Sequence, residues 1–216
     1  MQHLKFARIQ PKSKVLLQFR ITLLMIDAPV WRVIQVPEEF TFWDLHVAIQ
    51  DAMGWLDYHL HEFRHEQRPA GQSVRFGIPF DDEEMIDPYL VPCWKVNISE
   101  HFRRPGDKMY YIYDFGDNWV HEVLLKGVLL REKGLKLPRC IDGARATPPE
   151  DCGGPAGYAD LLEALANPAS EEHEDIVEWL SESSQNGQPF DPARFDIEKI
   201  KFTNPAKRLK KLQENL

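Results

Sequence analysis

Met109 to Leu125 reads MYYIYDFGDNWVHEVLL, and its alternation restricts the chain more than any other stretch. Tyr111, Tyr113 and Phe115 alternate with Tyr110, Ile112 and Asp114, and aromatic and β-branched residues suit a pleated, half-buried surface. Gly116-Asp117 fits a two-residue turn with glycine in the first central position, where positive φ is required. The segment is therefore predicted to be a β-hairpin. That turn sets Asp114 opposite Trp119 and Ile112 opposite His121, so Asp114 and His121 share a face as diagonal neighbours roughly 7–8 Å apart at the backbone. Such a pair lies within reach of a bridging water or metal. Asp114 and Asp117 equally suit stabilisation of the turn by their own side chains, with His121 a half-exposed strand residue.

A fold built around this hairpin needs partners that cover each sheet face. Val15 to Met25 and Val30 to Val36 are apolar, β-rich runs separated by Asp27-Ala28-Pro29, which reads as an opening hairpin with Arg20 and Arg32 on exposed faces. Thr41 can cap a helix through Met53, where Phe42, Leu45, Ile49 and Met53 recur at helical spacing and Gly54 supplies the stop. Leu56 to Glu66, if extended, projects His59, His61, Phe63 and His65 to one side. Asp81 to Glu84 lie in an acidic loop, 79–92, expected to be solvated. Gly127 to Leu137 reads as a strand extension or a turn of helix. Pro138 to Tyr158, rich in proline and glycine, is long for a connection inside a compact domain, and such loops are commonly functional when ordered. Helical spacing returns over 158–166 and 170–181, and Asp191-Pro192 and Asn204-Pro205 each place a capping side chain before a proline. The expectation is one α+β domain over 1–216, mainly antiparallel. Its sheet-rich core covers about 14–157, opening with a ββα unit as in a β-grasp, and a mostly helical part covers 158–216.

Composition excludes several classes. The chain has 216 residues and 43% hydrophobic content, enough for a real core. A net charge of −8 does not favour a protein that coats nucleic acid, because phosphate neutralisation supplies most non-specific affinity. The basic termini, Lys5 to Arg20 and Lys207 to Lys211, are where such contact would be made. Three cysteines, Cys93, Cys140 and Cys152, suit a reducing compartment, and no leader-like or membrane-spanning run is seen, so a cytoplasmic location is expected. Leu209, Leu212 and Leu216 form one stripe of the last helix with four cations around it, suited to docking on the domain or to touching an acidic partner.

The candidate chemistry is sparse. His59 and His61 present two imidazoles to one side, and Asp114 or His121 could complete a zinc or manganese site. Packing beside Phe63 explains the same histidines. Glu150 and Asp151, followed by Cys152-Gly153-Gly154, could aim two carboxylates and a run of amides into a cleft, and a structural bend needs the same glycines. The cysteines lack the spacing of structural zinc sites. No phosphate-binding glycine loop, nucleophile elbow or H-E-x-x-H is present.

Three blocks in order now carry a resemblance: Gly54-Trp55 with His59-Leu60-x-x-Phe63; Tyr111-x-Tyr113-Asp114-Phe115-Gly116-Asp117-x-Trp119-x-His121; and Pro148-Pro149-Glu150-Asp151-x-Gly153-Gly154-Pro155-x-Gly157-Tyr158. Over roughly Lys14 to Leu180 the chain resembles the Ri-plasmid ORF-three-like family. The resemblance implies an α+β domain found on plasmids and in bacterial and archaeal genomes, sometimes labelled a transposon resolvase-like passenger. Thr147 stands where many relatives carry a cysteine before the paired prolines, which weakens a cysteine-rich metal site, and the layout of a serine recombinase is not seen. The functional expectation is an intracellular accessory or binding module of a plasmid or mobile element. An unidentified protein or small ligand would sit between Asp114, Asp117, Trp119 and His121 on one side and Glu150, Asp151 and Gly153 on the other. The alternative is a divalent-metal-dependent hydrolase or nuclease using Asp114, Asp117 and His121 with the strand histidines. No cofactor is otherwise implied.

Overall fold

The computed structural model describes residues 14–65, 73–79, 87–183 and 189–214. Eight strands form one sheet: β1 (Val15–Leu23), β2 (Trp31–Pro37), β3 (His61–Arg64), β4 (Arg75–Gly77), β5 (Leu90–Pro92), β6 (Lys108–Tyr113), β7 (Trp119–Leu130) and β8 (Arg139–Ala144). Their spatial order is β5-β4-β3-β6-β7-β1-β2-β8, and every neighbouring pair is antiparallel except β4 with β5. The helices are α1 (Phe42–Met53), α2 (Gly154–Ala166), α3 (His173–Ser183) and α4 (Pro205–Gln213). The expected α+β mix and the ββα opening are present.

Strand alternation decides which face is buried. Phe19, Ile21 and Leu23 of β1, Ile34 and Val36 of β2, Tyr111 and Tyr113 of β6, and Val123 and Leu125 of β7 are all essentially inaccessible and form one core. Beneath them lies α1, whose Phe42 stacks on Phe76 with ring centroids 4.5 Å apart and tilts against Phe63 at 5.0 Å. Thr41 accepts from the Asp44 amide while the Asp44 carboxylate accepts from the Thr41 amide, the capping box that satisfies two otherwise orphan donors. Gly54 ends the helix at φ 86°, a left-handed conformation that glycine adopts without strain. Both ends of α1 therefore match the sequence.

Four expectations need correction. The register pairs Ile21 with Arg32, so Arg32 faces inward and is 3% exposed. Its guanidinium donates to the carbonyls of Ala52, Trp31, Ala144 and Arg145 and to Thr147 Oγ1, and burial lowers its pKa to about 10. The proline- and glycine-rich segment is not one loop, since 139–144 forms β8 on the edge of β2 and α2 begins at Gly154. Asp191 caps only a turn, its Oδ1 accepting from the Ala193 amide. The central hairpin closes through five residues rather than two: Tyr113 pairs with Trp119 and Tyr111 with His121. Within that turn Asp114 and Asn118 take φ of 57° and 56°, which aspartate and asparagine tolerate better than most residues.

The C-terminal part returns to α1. Asn204 caps α4 through the amides of Ala206 and Lys207, Trp43 Nε1–H donates to the Pro205 carbonyl at 2.9 Å, and Leu209 and Leu212 pack on the core. Leu216, part of the expected stripe, lies outside the described residues, as do Lys5 and the acidic run Asp81 to Glu84. The strand extension expected after Gly127 runs to Leu130.

Candidate functional site

The one-residue change of register sorts the hairpin's side chains differently from the two-residue turn. Tyr111, Tyr113, Trp119 and His121 share the inner face. Trp55, just past α1, stacks on Tyr113 at 5.0 Å and meets His121 edge-on at 5.3 Å. His121 is wholly buried, and desolvation lowers its pKa to about 4. It does not share a face with Asp114, which has left the strand for the turn. Trp119 is likewise core, 1% exposed and edge-on to Tyr158. The hairpin tip alone is left for polar chemistry.

His59 and His61 also part company. The ring of His61 stacks on His46 of α1 at 3.5 Å, nearly parallel, and burial followed by the proximity of His46 pushes its pKa well down. Rings stacked face to face cannot point nitrogens at one ion. His46 in turn bonds Tyr111 Oη through Nδ1 at 2.8 Å and lies 2.9 Å from Asp57 Oδ1 through Nε2. Burial would raise the Asp57 carboxyl, but His46 and Arg208 outweigh it and hold it below the ordinary value. His59, before the strand begins, faces the hairpin tip instead. Its Nε2 lies 3.0 Å from Asp151 Oδ1 and 3.7 Å from Asp114 Oδ2.

The proline- and glycine-rich connection is fastened to that tip. Trp55 Nε1–H donates to the Pro148 carbonyl at 2.9 Å. Glu150 Oε2 accepts from the Leu56 amide at 2.8 Å and Oε1 from the Tyr113 hydroxyl at 2.5 Å, while Tyr113 Oη accepts from the Tyr58 amide at 3.0 Å. Burial, then the hydrogen bond to Glu150 and its charge, raises the Tyr113 phenol pKa. Asp151, at φ 59°, keeps its side chain 65% exposed and turned to His59. Gly153 caps α2 in the left-handed region, and Gly154 passes so close to the Asp117 carbonyl that a Cβ would collide with it. Burial, followed by Asp117, raises the Cys152 thiol to about 12, so it is inert as a nucleophile.

The structure thus brings Asp114, Asp117, Glu150, Asp151 and Gly153 to one juncture with His59, and leaves His61, Trp119 and His121 in the core beneath it. On the other side of the Pro148 to Asp151 connection lies a pocket of about 570 Å³. Trp55, Tyr58, Pro149, Phe190 and Phe195 furnish its apolar and aromatic walls, and Glu150, Asp151, Arg194 and Lys199 its polar ones. Sequence reasoning did not place Phe190 and Phe195 there, and only their position in a connection between helices could have drawn notice to them. Trp55 did carry a signal, the Gly54-Trp55 pair.

This fold is shared with a known structure. The family described as plasmid pRiA4b ORF-3-like protein matches residues 15–199, and this chain belongs to it. The uncharacterized protein y4hQ of Sinorhizobium fredii is 35% identical over 167 residues, 77% of this chain and 81% of that protein. The crystal structure of a protein of unknown function, MM3350, from Methanosarcina mazei Go1 superimposes with a TM-score of 0.74 at 39% identity, covering 87% of this chain and 98% of that one. No helix among the described residues is long and apolar enough to cross a membrane.

Proposed function

We propose that this chain is a binding module, an intracellular accessory protein of a plasmid or of the genome that hosts it, which takes a small ligand or an extended segment of a partner into the pocket beside Trp55. The observation that carries this reading is the pocket itself. Its volume of about 570 Å³ lies within the range of small-ligand sites, which are mostly apolar with a few convergent polar groups. The bonds from Tyr113 and Leu56 to Glu150 hold its wall in place before a ligand arrives, which lowers the ordering cost of binding.

A metal-dependent hydrolase or nuclease is the second reading, and the grouping of His59, Asp114 and Asp151 within 4.8 Å of one another favours it. It loses His121, which is buried against Trp55 and Tyr111 with no route to a substrate. Crystals soaked with a library of small aromatic acids and amides, alongside turnover of bis(p-nitrophenyl) phosphate with manganese, separate the two. Binding predicts occupancy in the pocket and no turnover above buffer. Manganese-dependent turnover abolished by Asp114→Asn would favour the hydrolase and count against the binding module.

A further inference from the structure

We infer that His59, Asp114 and Asp151 form a divalent cation site that clamps the proline- and glycine-rich connection to the tip of the central hairpin. It lies across the Pro148 to Asp151 connection from the proposed pocket, with Asp151 common to both, but does not depend on that pocket's having a ligand.

The first support is distance. Ligands bound at about 2.1 Å and separated by 90° to 110° lie roughly 3.0–3.4 Å apart. His59 Nε2 stands 3.0 Å from Asp151 Oδ1 and 3.7 Å from Asp114 Oδ2, and all three donor atoms fall within 4.8 Å. Small side-chain rotations bring them onto one ion.

The second support is an unmet hydrogen-bonding need. His59 Nε2 has no accessible surface and makes no hydrogen bond, although both carboxylates are near. His46 Nε2 is likewise unbonded 2.9 Å from Asp57, but there Arg208 holds the one carboxylate, whereas two carboxylates flank His59. Oxygens beside the nitrogen but off its bonding direction are what a cation between them produces, since the lone pair then points at the ion and the oxygens flank it. Asp114 is 8% exposed, and its Oδ1 accepts from the Gly116 amide at 2.9 Å, which fixes the carboxylate. The other oxygen, Oδ2, lies on the His59 side at 3.7 Å.

The third is local charge. Asp114 and Asp151 flank His59, and in the same hairpin tip as Asp114 the Oδ2 of Asp117 is buried without a partner. One imidazole with two carboxylates suits manganese, ferrous iron or zinc better than calcium or magnesium, which prefer oxygen alone. Two of the three ligands are held by the fold: Asp114 by its amide bond to the Leu60 carbonyl at 2.9 Å, and Asp151 by the anchoring of Glu150 next to it. Such supports orient first ligands in metal sites generally.

The test uses the full chain, stripped with a chelator and titrated with manganese while the free-ion electron paramagnetic resonance signal is followed. One equivalent should bind and zinc should displace it. Asp151→Asn, at an exposed position, and Asp114→Asn, where asparagine tolerates the positive φ, should each weaken binding at least tenfold with circular dichroism unchanged. Thermal unfolding of the wild type should rise with manganese and that of Asp151→Asn should not. No loss of signal at millimolar manganese, or binding untouched by both substitutions, would overturn the inference. Metal binding without fragments in the pocket leaves this site standing and removes the pocket reading; fragments without metal do the reverse.

Discussion

Arg32 carries a positive charge to the inner face of the sheet, where it donates to four carbonyls and a hydroxyl of α1, β2, β8 and the connection after β8, with Phe195 under its guanidinium at 4.4 Å. A planar fork with five donors can meet that geometry and an ammonium cannot. Arg32→Lys should therefore cost about 2–4 kcal/mol, because buried carbonyls lose their donors; urea unfolding measures it, and a loss under about 0.5 kcal/mol would contradict the assignment. His61 and His121 make a pH prediction. Burial lowers both pKa values, that of His121 from the ordinary 6.5 to about 4, so between those values the unfolded chain binds more protons. Stability is then complete above about pH 6.5 and falls as the pH drops, His121 alone contributing about 2 kcal/mol by pH 5 and His61 acting in the same direction. Unfolding curves from pH 7.5 to 5 should show this fall, and a smaller one in His121→Gln. Flat stability across that window would mean that neither imidazole is held neutral.

Between the hairpin and the connection after β8, the close approach of Gly154 to Asp117 sets the fit. Gly154→Ala meets both a collision with the Asp117 carbonyl and a φ of 69°, so a loss above about 2 kcal/mol is expected, together with faster amide exchange over 148–154. Exchange equal to wild type would show that the connection is held without that contact. The hairpin, the capped α1, the α4 cap and the opening ββ unit could all be read from the chain, because each rests on local periodicity, a capping side chain or a turn residue. The turn length could not. Gly116-Asp117 advertises a two-residue turn, yet Asp114 and Asn118 also accept positive φ, and the Asn118 amide closes on the Asp114 carbonyl at 2.6 Å. That one-residue difference moved His121 into the core. Strand β8 was hidden for another reason: none of its residues is buried, so only the free edge of β2 reveals it. Of the site, Asp114, Glu150 and Asp151 were singled out in the sequence, while the stacking that removes His61 depends on α1 crossing beneath β3.

For the molecule as a whole, α4 closes over α1 through Arg208, whose guanidinium reaches Asp51 and Asp57 at 3.0 Å each. Asp57 leads on through His46 to Tyr111, and so to the floor of the sheet. Arg208→Ala should destabilise by about 1–3 kcal/mol, more than an exposed pair would, since Asp51 and Asp57 stay largely buried; a change below about 0.3 kcal/mol would detach α4 from this network. The chain thus holds its fastening in the middle and the proposed sites at one end, where the hairpin tip and the 189–200 segment flank the Pro148 to Asp151 connection. Nitrogen-15 spectra resolve the six tryptophan indoles and test that claim most directly. When the small aromatic acids and amides are titrated in, the Trp55 indole N–H, bonded to Pro148, should shift saturably with backbone amides near Tyr58 and Phe195, and the Trp43 and Trp119 indoles should stay. Saturable shifts elsewhere with Trp55 unmoved would contradict the placement of the site.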